Sequence, residues 1–264
     1  MHKYRKSAVA GMFYPDSCQE IKHYIKHFES LIVPSSLDVI PRALIVPHAG
    51  YIYSGFTATL AYYYTASKRT DIERVVVIGP SHRVYLSGAS VALYEKFHSP
   101  CGDVEIDLAF SHALEKAFSF VNFTPNAHEE HSTEVQIPLI RHYFKHAKIV
   151  EIIYGDMPYA ELSHMIDLLL EDEKTLVIIS TDLSHFYTQE EANALDEHCI
   201  SAILQRDIPT LSHGCEACGI TGVTALAHSA ISKNLQPHFL DYRTSFERTK
   251  DASRVVGYAS FVLG

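Results

Sequence analysis

An α/β fold, with one central and mostly parallel sheet covered by helices on both faces, is the architecture this sequence predicts. Three observations point to it. Continuous β-branched runs, such as RVVVIG from Arg74 to Gly79 and TLVIIS from Thr175 to Ser180, are too apolar for a half-exposed strand and suit one buried on both sides. Between such runs lie helix-period stretches of about 10–15 residues, the alternation that builds βαβ units. Polar side chains with chemical potential recur directly after the runs, where open α/β sheets place their ligands.

The elements follow in order. An apolar arm ends in Gly11-Met12-Phe13-Tyr14-Pro15, closed by the proline. Asp16 to Leu31 has helical spacing, with Ile21, Tyr24, Ile25, Phe28 and Leu31 on one face and Ser17 and Glu20 at capping-box separation. A proline-bounded loop, Pro34 to Pro41, leads into the buried run Ala43 to Val46 and then to Pro47-His48. Phe56 to Ala66, rich in Ala and Tyr, predicts a helix. Arg74 to Gly79 is the second buried strand, with Pro80-Ser81-His82 immediately after it. Ala89 to Tyr94 predicts a further strand and Ile106 to Phe120 an amphipathic helix. KIVEIIY (Lys148 to Tyr154) and TLVIIS are strands with the helix Tyr159 to Leu170 between them. Glu190 to Leu204 and Gly222 to Ser232 predict helices, and His238 to Tyr242 and Val255 to Leu263 the last strands. No repeat, low-complexity segment or long linker divides the chain, so residues 1–264 read as a single domain.

Composition sets limits on function. Apolar residues make up 47% and charged residues 20% of the chain, as in ordinary globular proteins. A net charge of -9 argues against a nucleic-acid backbone as partner. No apolar run reaches bilayer-spanning length, and no long apolar segment follows the basic start, so no membrane association is expected and the cytoplasm is the expected location. Five thinly spread cysteines do not form the pattern of a disulfide framework and fit a reducing compartment. Neither GxGxxG nor GxxxxGK[ST] follows the early strands, which removes the usual support for nucleotide binding.

Four groups of residues could carry chemistry. His48 and His82 each follow a buried strand closely; two neutral imidazoles at one sheet end suit iron, copper or zinc, although each ring could instead bond only loop backbone. Asp182 and His185, in D-L-S-H after TLVIIS, could pair as an orienting carboxylate and an acid–base imidazole, or Asp182 could cap a helix. Cys218 precedes a helix, where a thiol pKa is lowered, so it could be a thiolate ligand or nucleophile, or an inert buried thiol; Cys215 completes only a lone CxxC. His128 to Glu134, HEEHSTE, reads as a polar loop with Ser132 capping a helix from Glu134 to Phe144, from which His131 or Glu134 could line the same crevice.

Taken together, GMFYP, VPHAGYIYSG, VIGPSH, the HxxEHSxExQxP-like segment Glu130 to Pro138, STDLSHF and ACGITGV resemble the Memo family, also labelled AmmeMemoRadiSam system protein B. The six pieces keep one order from the N-terminus to residue 223. The resemblance implies a fold similar to class III extradiol dioxygenases of the LigB type, which hold non-haem iron with two histidines and a glutamate. In the Memo family a cysteine replaces the glutamate, and the implied ligands here are His48, His82 and Cys218, holding iron or copper, with zinc the less favoured metal. His185 would act as acid–base group, with Asp182 beside it. Tyr51 and Tyr53, with His131 and Glu134, would contact a small-molecule or peptide ligand.

The sequence departs from the family pattern at Gly222, where proline is common, and in GMFYP, which stands for GSWYP. A thiolate in place of a carboxylate favours Cu(I) or a redox role. Three functions follow from this set: a dioxygenase-like metal oxidoreductase, a non-catalytic peptide- or protein-binding module that keeps the pocket, and a zinc hydrolase using His48, His82 and Asp182 or Glu134. The family name alone suggests radical-SAM and AMMECR1-type partner proteins.

Overall fold

The computed structural model describes residues 3–34 and 36–264. In chain order the elements are β1 (Tyr4–Arg5), α1 (Cys18–Ser30), β2 (Ala43–Val46), α2 (Tyr51–Lys68), β3 (Arg74–Pro80), β4 (Ala89–Val91), β5 (Lys96–Phe97), β6 (Val104–Glu105), α3 (Leu108–Ala117) and β7 (Val121–Asn122). There follow α4 (His131–Glu134), α5 (Ile137–Tyr143), β8 (Lys148–Tyr154), α6 (Tyr159–Leu169), β9 (Thr175–Ser180), β10 (His185–Tyr187) and α7 (Gln189–Gln205). The chain ends with α8 (Ile208–His213), α9 (Ile220–Ser232), β11 (Pro237–Thr244), α10 (Phe246–Thr249) and β12 (Val255–Leu263).

The main sheet runs β10-β12-β2-β9-β3-β8-β4-β7, with β11 also paired to β12. Its middle is parallel: β2, β9, β3 and β8 are neighbours in that order. Their continuous apolar runs are explained by burial on both faces. Val76 and Ile78 of β3 point into a core under α6, α7 and α9, whereas Val75 and Val77 point into one under α1, α2 and α5. Each such fully buried side chain contributes roughly 1.5–3 kcal/mol of apolar transfer, and this burial is the main force holding the layers together.

The flanks make the sheet mixed. β12 lies antiparallel to β2, β11 antiparallel to β12, and β4 antiparallel to β8. The C-terminal antiparallel pair thus docks beside β2 with no crossover helix between its strands.

Local corrections follow from tertiary contacts. α2 starts at Tyr51, five residues ahead of the predicted Phe56, so the tyrosine-rich turn belongs to its first turn. Ser17 is the N-cap of α1 but makes no side-chain capping bond. The strand expected over Ala89 to Tyr94 stops at Val91. The helix expected from Glu134 to Phe144 is broken into α4 and α5, and its first turn is capped by the Glu130 side chain rather than Ser132.

The cysteine expectation is also corrected. Cys18 pairs with Cys101 and Cys199 with Cys215, leaving Cys218 as the free thiol among the described residues. Partners 83 and 16 residues apart have no local sequence signature, and paired thiols remove the argument for a reducing compartment. Among the described residues no helix is long and apolar enough to cross a membrane.

Candidate metal centre

Parallel register sets this site. Val46 of β2 pairs with Ser180 of β9, and Ile78 of β3 with Ile179 of β9, so the segments leaving the three strands begin at one level. Those segments carry His48, Asp182 and His82. A fourth segment brings in Cys218 just before α9. Gly219 permits its close approach, since a Cβ there would lie 2.6 Å from the Cβ of Thr181. The Cys218 N–H then donates to the Asp182 carbonyl at 3.3 Å.

The result is a compact donor set. Ligand atoms of His48, His82 and Cys218 all lie within 4.8 Å of one another. The Cys218 Sγ is 3.3 Å from His48 Nε2, and the His48 and His82 ring centroids are 5.4 Å apart. Donors about 2.0–2.3 Å from a tetrahedral ion are themselves roughly 3.3–3.6 Å apart, so the sulfur–nitrogen pair already has ligand spacing. Two imidazole nitrogens and one sulfur form a set suited to copper, iron or zinc.

Electrostatics favour neutral imidazole at His48. Burial, aided by His131 and His82, pushes its pKa well below the usual histidine value. The Cys218 thiol behaves opposite to the expectation for a helix N-terminus: burial and then the Asp182 carboxylate push it up to about 12. An unmetallated thiol there stays protonated, and a bound cation is what would deprotonate it.

The other predicted residues divide into two groups. His131 reaches the rim, its ring 4.6 Å from that of His82 and 5.2 Å from that of His48. Asp182 is buried beneath the site and accepts the His48 N–H at 2.8 Å, so it holds the His48 turn and caps no helix. His185 stands half-buried on β10, next to Phe186, whose φ of 69° is a left-handed conformation that costs a non-glycine residue about 1–2 kcal/mol. Tyr53 is exposed and lines a groove of about 280 Å³ shared with Met12, Phe13, Asp16 and Glu20.

Tyr51 lines the same groove from a buried position, its hydroxyl donating to the Val135 carbonyl at 3.2 Å. One predicted residue is placed elsewhere. Glu134 turns away from the crevice. Its carboxylate forms an ion pair with Arg5 and accepts from the N–H groups of Ala8 and Val9 and from the Tyr14 hydroxyl. That is an anchor for the N-terminal arm, whose Phe13 ring then sits 4.7 Å from His131. A zinc site using Glu134 is thereby removed.

Sequence reasoning missed Glu130 and Ser180. Glu130 accepts the His82 N–H at 2.7 Å and lies 3.1 Å from His82 Nδ1, while also taking the His131 and Ser132 N–H groups. Burial alone would raise its carboxyl, but hydrogen bonds from His131 and His82 hold it well below the carboxylate range. His82, Glu130 and His131 form a second ligand-like group. Glu130 Oε1 already takes the His131 and Ser132 N–H groups and faces His82 Nδ1, which makes the His48–His82–Cys218 set the less engaged of the two. Ser180 was visible as the polar residue that closes the apolar strand β9 at its C-terminal end.

Comparison with known proteins gives one consistent result. The Memo-like protein family matches residues 5–262. A MEMO1 family protein of Methanobrevibacter smithii is 33% identical, over 98% of this chain and 99% of the relative. One from Aquifex aeolicus is 32% identical over 98% of both chains, and one from Methanocaldococcus jannaschii 33% identical over 100% of both. Among solved structures, an uncharacterized Escherichia coli K12 protein, JW3007, shares the fold with a TM-score of 0.55 at 13% identity, over 84% of this chain and 99% of that one.

Proposed function

The chain belongs to the Memo family, and from that premise we propose that it holds one iron or copper ion between His48, His82 and Cys218 and acts as an oxidoreductase on a small-molecule or peptide ligand. The observation that carries this reading is the convergence of those three donors within 4.8 Å. Such an ion, when bound, supplies a redox-active Lewis-acid centre. The chain's own residues do the rest. Asp182 fixes the His48 turn through its N–H. His185 and His131 offer imidazoles that can take or return a proton at the ligand. The groove beside Phe13 and Tyr53 orients an aromatic or peptide group next to His131.

Metal analysis and paramagnetic resonance of the purified protein test the reading. One iron or copper per chain, lost in Cys218→Ser, is expected; zinc in that place, or no stoichiometric metal in the wild type, overturns it.

A second reading is a peptide-binding module, favoured by the exposed Met12, Ile52 and Tyr53 around the groove. It requires that His48→Ala and Cys218→Ser abolish metal yet leave peptide capture intact. Loss of both together removes it.

A further inference from the structure

Hydrogen-bond partners fix where the protons sit on the two site histidines, and their consequence for binding rests on the metal reading above. Ser180 Oγ has three neighbours and one proton. It lies 2.5 Å from the Ser132 carbonyl oxygen, 2.8 Å from Gln136 Nε2 and 3.1 Å from His48 Nδ1. The Ser132 carbonyl cannot donate, so at that distance it must receive the hydroxyl proton. Gln136 cannot be flipped, because its Nε2 also meets the Pro47 carbonyl at 2.9 Å and its Oε1 accepts from the Tyr62 hydroxyl. It therefore donates to Ser180 Oγ. The remaining lone pair of Ser180 faces His48 Nδ1, which must carry a hydrogen. The Nε2 of His48 is then bare, and the Cys218 S–H at 3.3 Å is its donor.

His82 obeys the same logic. The His82 N–H donates to Glu130 Oε2, and the His131 and Ser132 N–H groups converge on Oε1, which also lies 2.7 Å from His131 Nδ1. Glu130 Oε1 is an acceptor only, so His82 Nδ1 beside it at 3.1 Å carries the hydrogen and His82 Nε2 is free.

We infer that Ser180 and Glu130 are positioning residues that lock both histidines in the Nδ1–H form, so that each presents a bare Nε2 to the metal. Free imidazole side chains prefer the opposite form, with hydrogen on Nε2. Without the lock, each ring would have to move its proton before it could bind an ion. The arrangement is the carboxylate–histidine and hydroxyl–histidine support that tunes metal sites generally, at a cost of about 10–100-fold in affinity when removed.

Long-range proton–nitrogen correlation spectra of the metal-free, isotope-labelled protein at neutral pH read the two forms directly. His48 and His82 are expected in the Nδ1–H form; hydrogen on Nε2 of either ring overturns the inference. Ser180→Ala should move His48 to Nε2–H, leave His82 unchanged and weaken metal binding by about 10–100-fold in chelator competition. Unchanged affinity with a shifted His48 would also overturn it. Ser163→Ala, which removes a buried hydroxyl bonded to His228 far from the rim, should change neither readout. Because the native spectrum needs no metal, a wild type that binds no ion would sink the proposed function while leaving the tautomer assignment to stand or fall separately.

Discussion

Glu130 and Glu134 lie one helical turn apart, both fully buried, yet they serve two different centres. Glu130 faces the rim, where the donor atoms of His48, His82 and Cys218 gather, the His48 Nε2 and the Cys218 sulfur meeting each other and the sulfur also taking the Asp182 N–H. Glu134 faces the N-terminal arm, where Arg5, Ala8, Val9 and Tyr14 take up its carboxylate. Beneath it the anchor extends to Glu151, held by His128 Nδ1 at 2.9 Å, the Thr133 hydroxyl at 2.6 Å and Arg5 at 3.9 Å. Both regions are buried and polar. The difference is that the anchor's carboxylates are matched by Arg5, His128 and backbone N–H groups, which yields stability, whereas the rim gathers two imidazoles and a thiol, which yields binding capacity.

The largest test of that contrast is Glu134→Ala. It removes the nearest carboxylate of the Arg5 guanidinium, only 3% exposed, and leaves it Glu151 at 3.9 Å and the Lys6 and Glu130 carbonyls. Breaking a buried pair from one side costs about 3–5 kcal/mol. At roughly 2–4 °C per kcal/mol for a chain of this size, the melting temperature should fall by about 6–20 °C in calorimetry. Metal bound per folded chain should not change. A loss under about 1 kcal/mol would mean that the arm is held by something other than this anchor.

Next in size is the Cys199–Cys215 link, which ties α7 to the segment entering Cys218. Closing a loop of 16 residues is worth about 3 kcal/mol by chain entropy. Replacing both cysteines by serine should lower the urea midpoint accordingly and also weaken metal retention, since the tether ends three residues before the ligand. Retention equal to wild type would show that Gly219 and the Asp182 contacts alone place Cys218.

How much of this was legible beforehand follows the same divide. The placement of His48, His82 and Asp182 at one sheet end was readable, because continuous apolar runs mark buried parallel strands and residues at their ends share one level by register. A metal role for the two histidines stayed open on the residues alone, and the set with Cys218 came from the family resemblance. Glu130 and Glu134 could not be separated, because the sequence does not show that Glu130 is the extended N-cap of α4, its own carboxylate taking the first N–H groups, while Glu134 stands inside the helix. The disulfide partners meet through tertiary packing that carries no pairing signal, Cys18 on α1 and Cys199 on α7 each reaching a cysteine outside the helices.

Cys218→Ser should have a smaller effect on stability, within about 1 kcal/mol, because the oxygen can still accept the Asp182 N–H now 3.3 Å from sulfur. Its effect should appear instead in metal content. A large loss of stability with unaltered metal would reverse the roles assigned to rim and anchor.

The smallest effect is one of pH, read at the anchor through Glu151. Burial by itself would raise the Glu151 carboxyl, but His128 and Arg5 overcome it and hold the group below its ordinary value of 4.5. A carboxyl lowered in the folded state stabilises fully above the unfolded value and loses that contribution as pH falls, because the unfolded chain takes up the proton first. Urea midpoints measured from about pH 7 down to about pH 3 should therefore decline in the wild type. Glu151→Gln should start lower and decline less, so that the two curves converge in acid. Cys218→Ser, which alters only the rim, should run parallel to the wild type throughout; a curve that converges with Glu151→Gln would show that the two centres share their protons and are not separate.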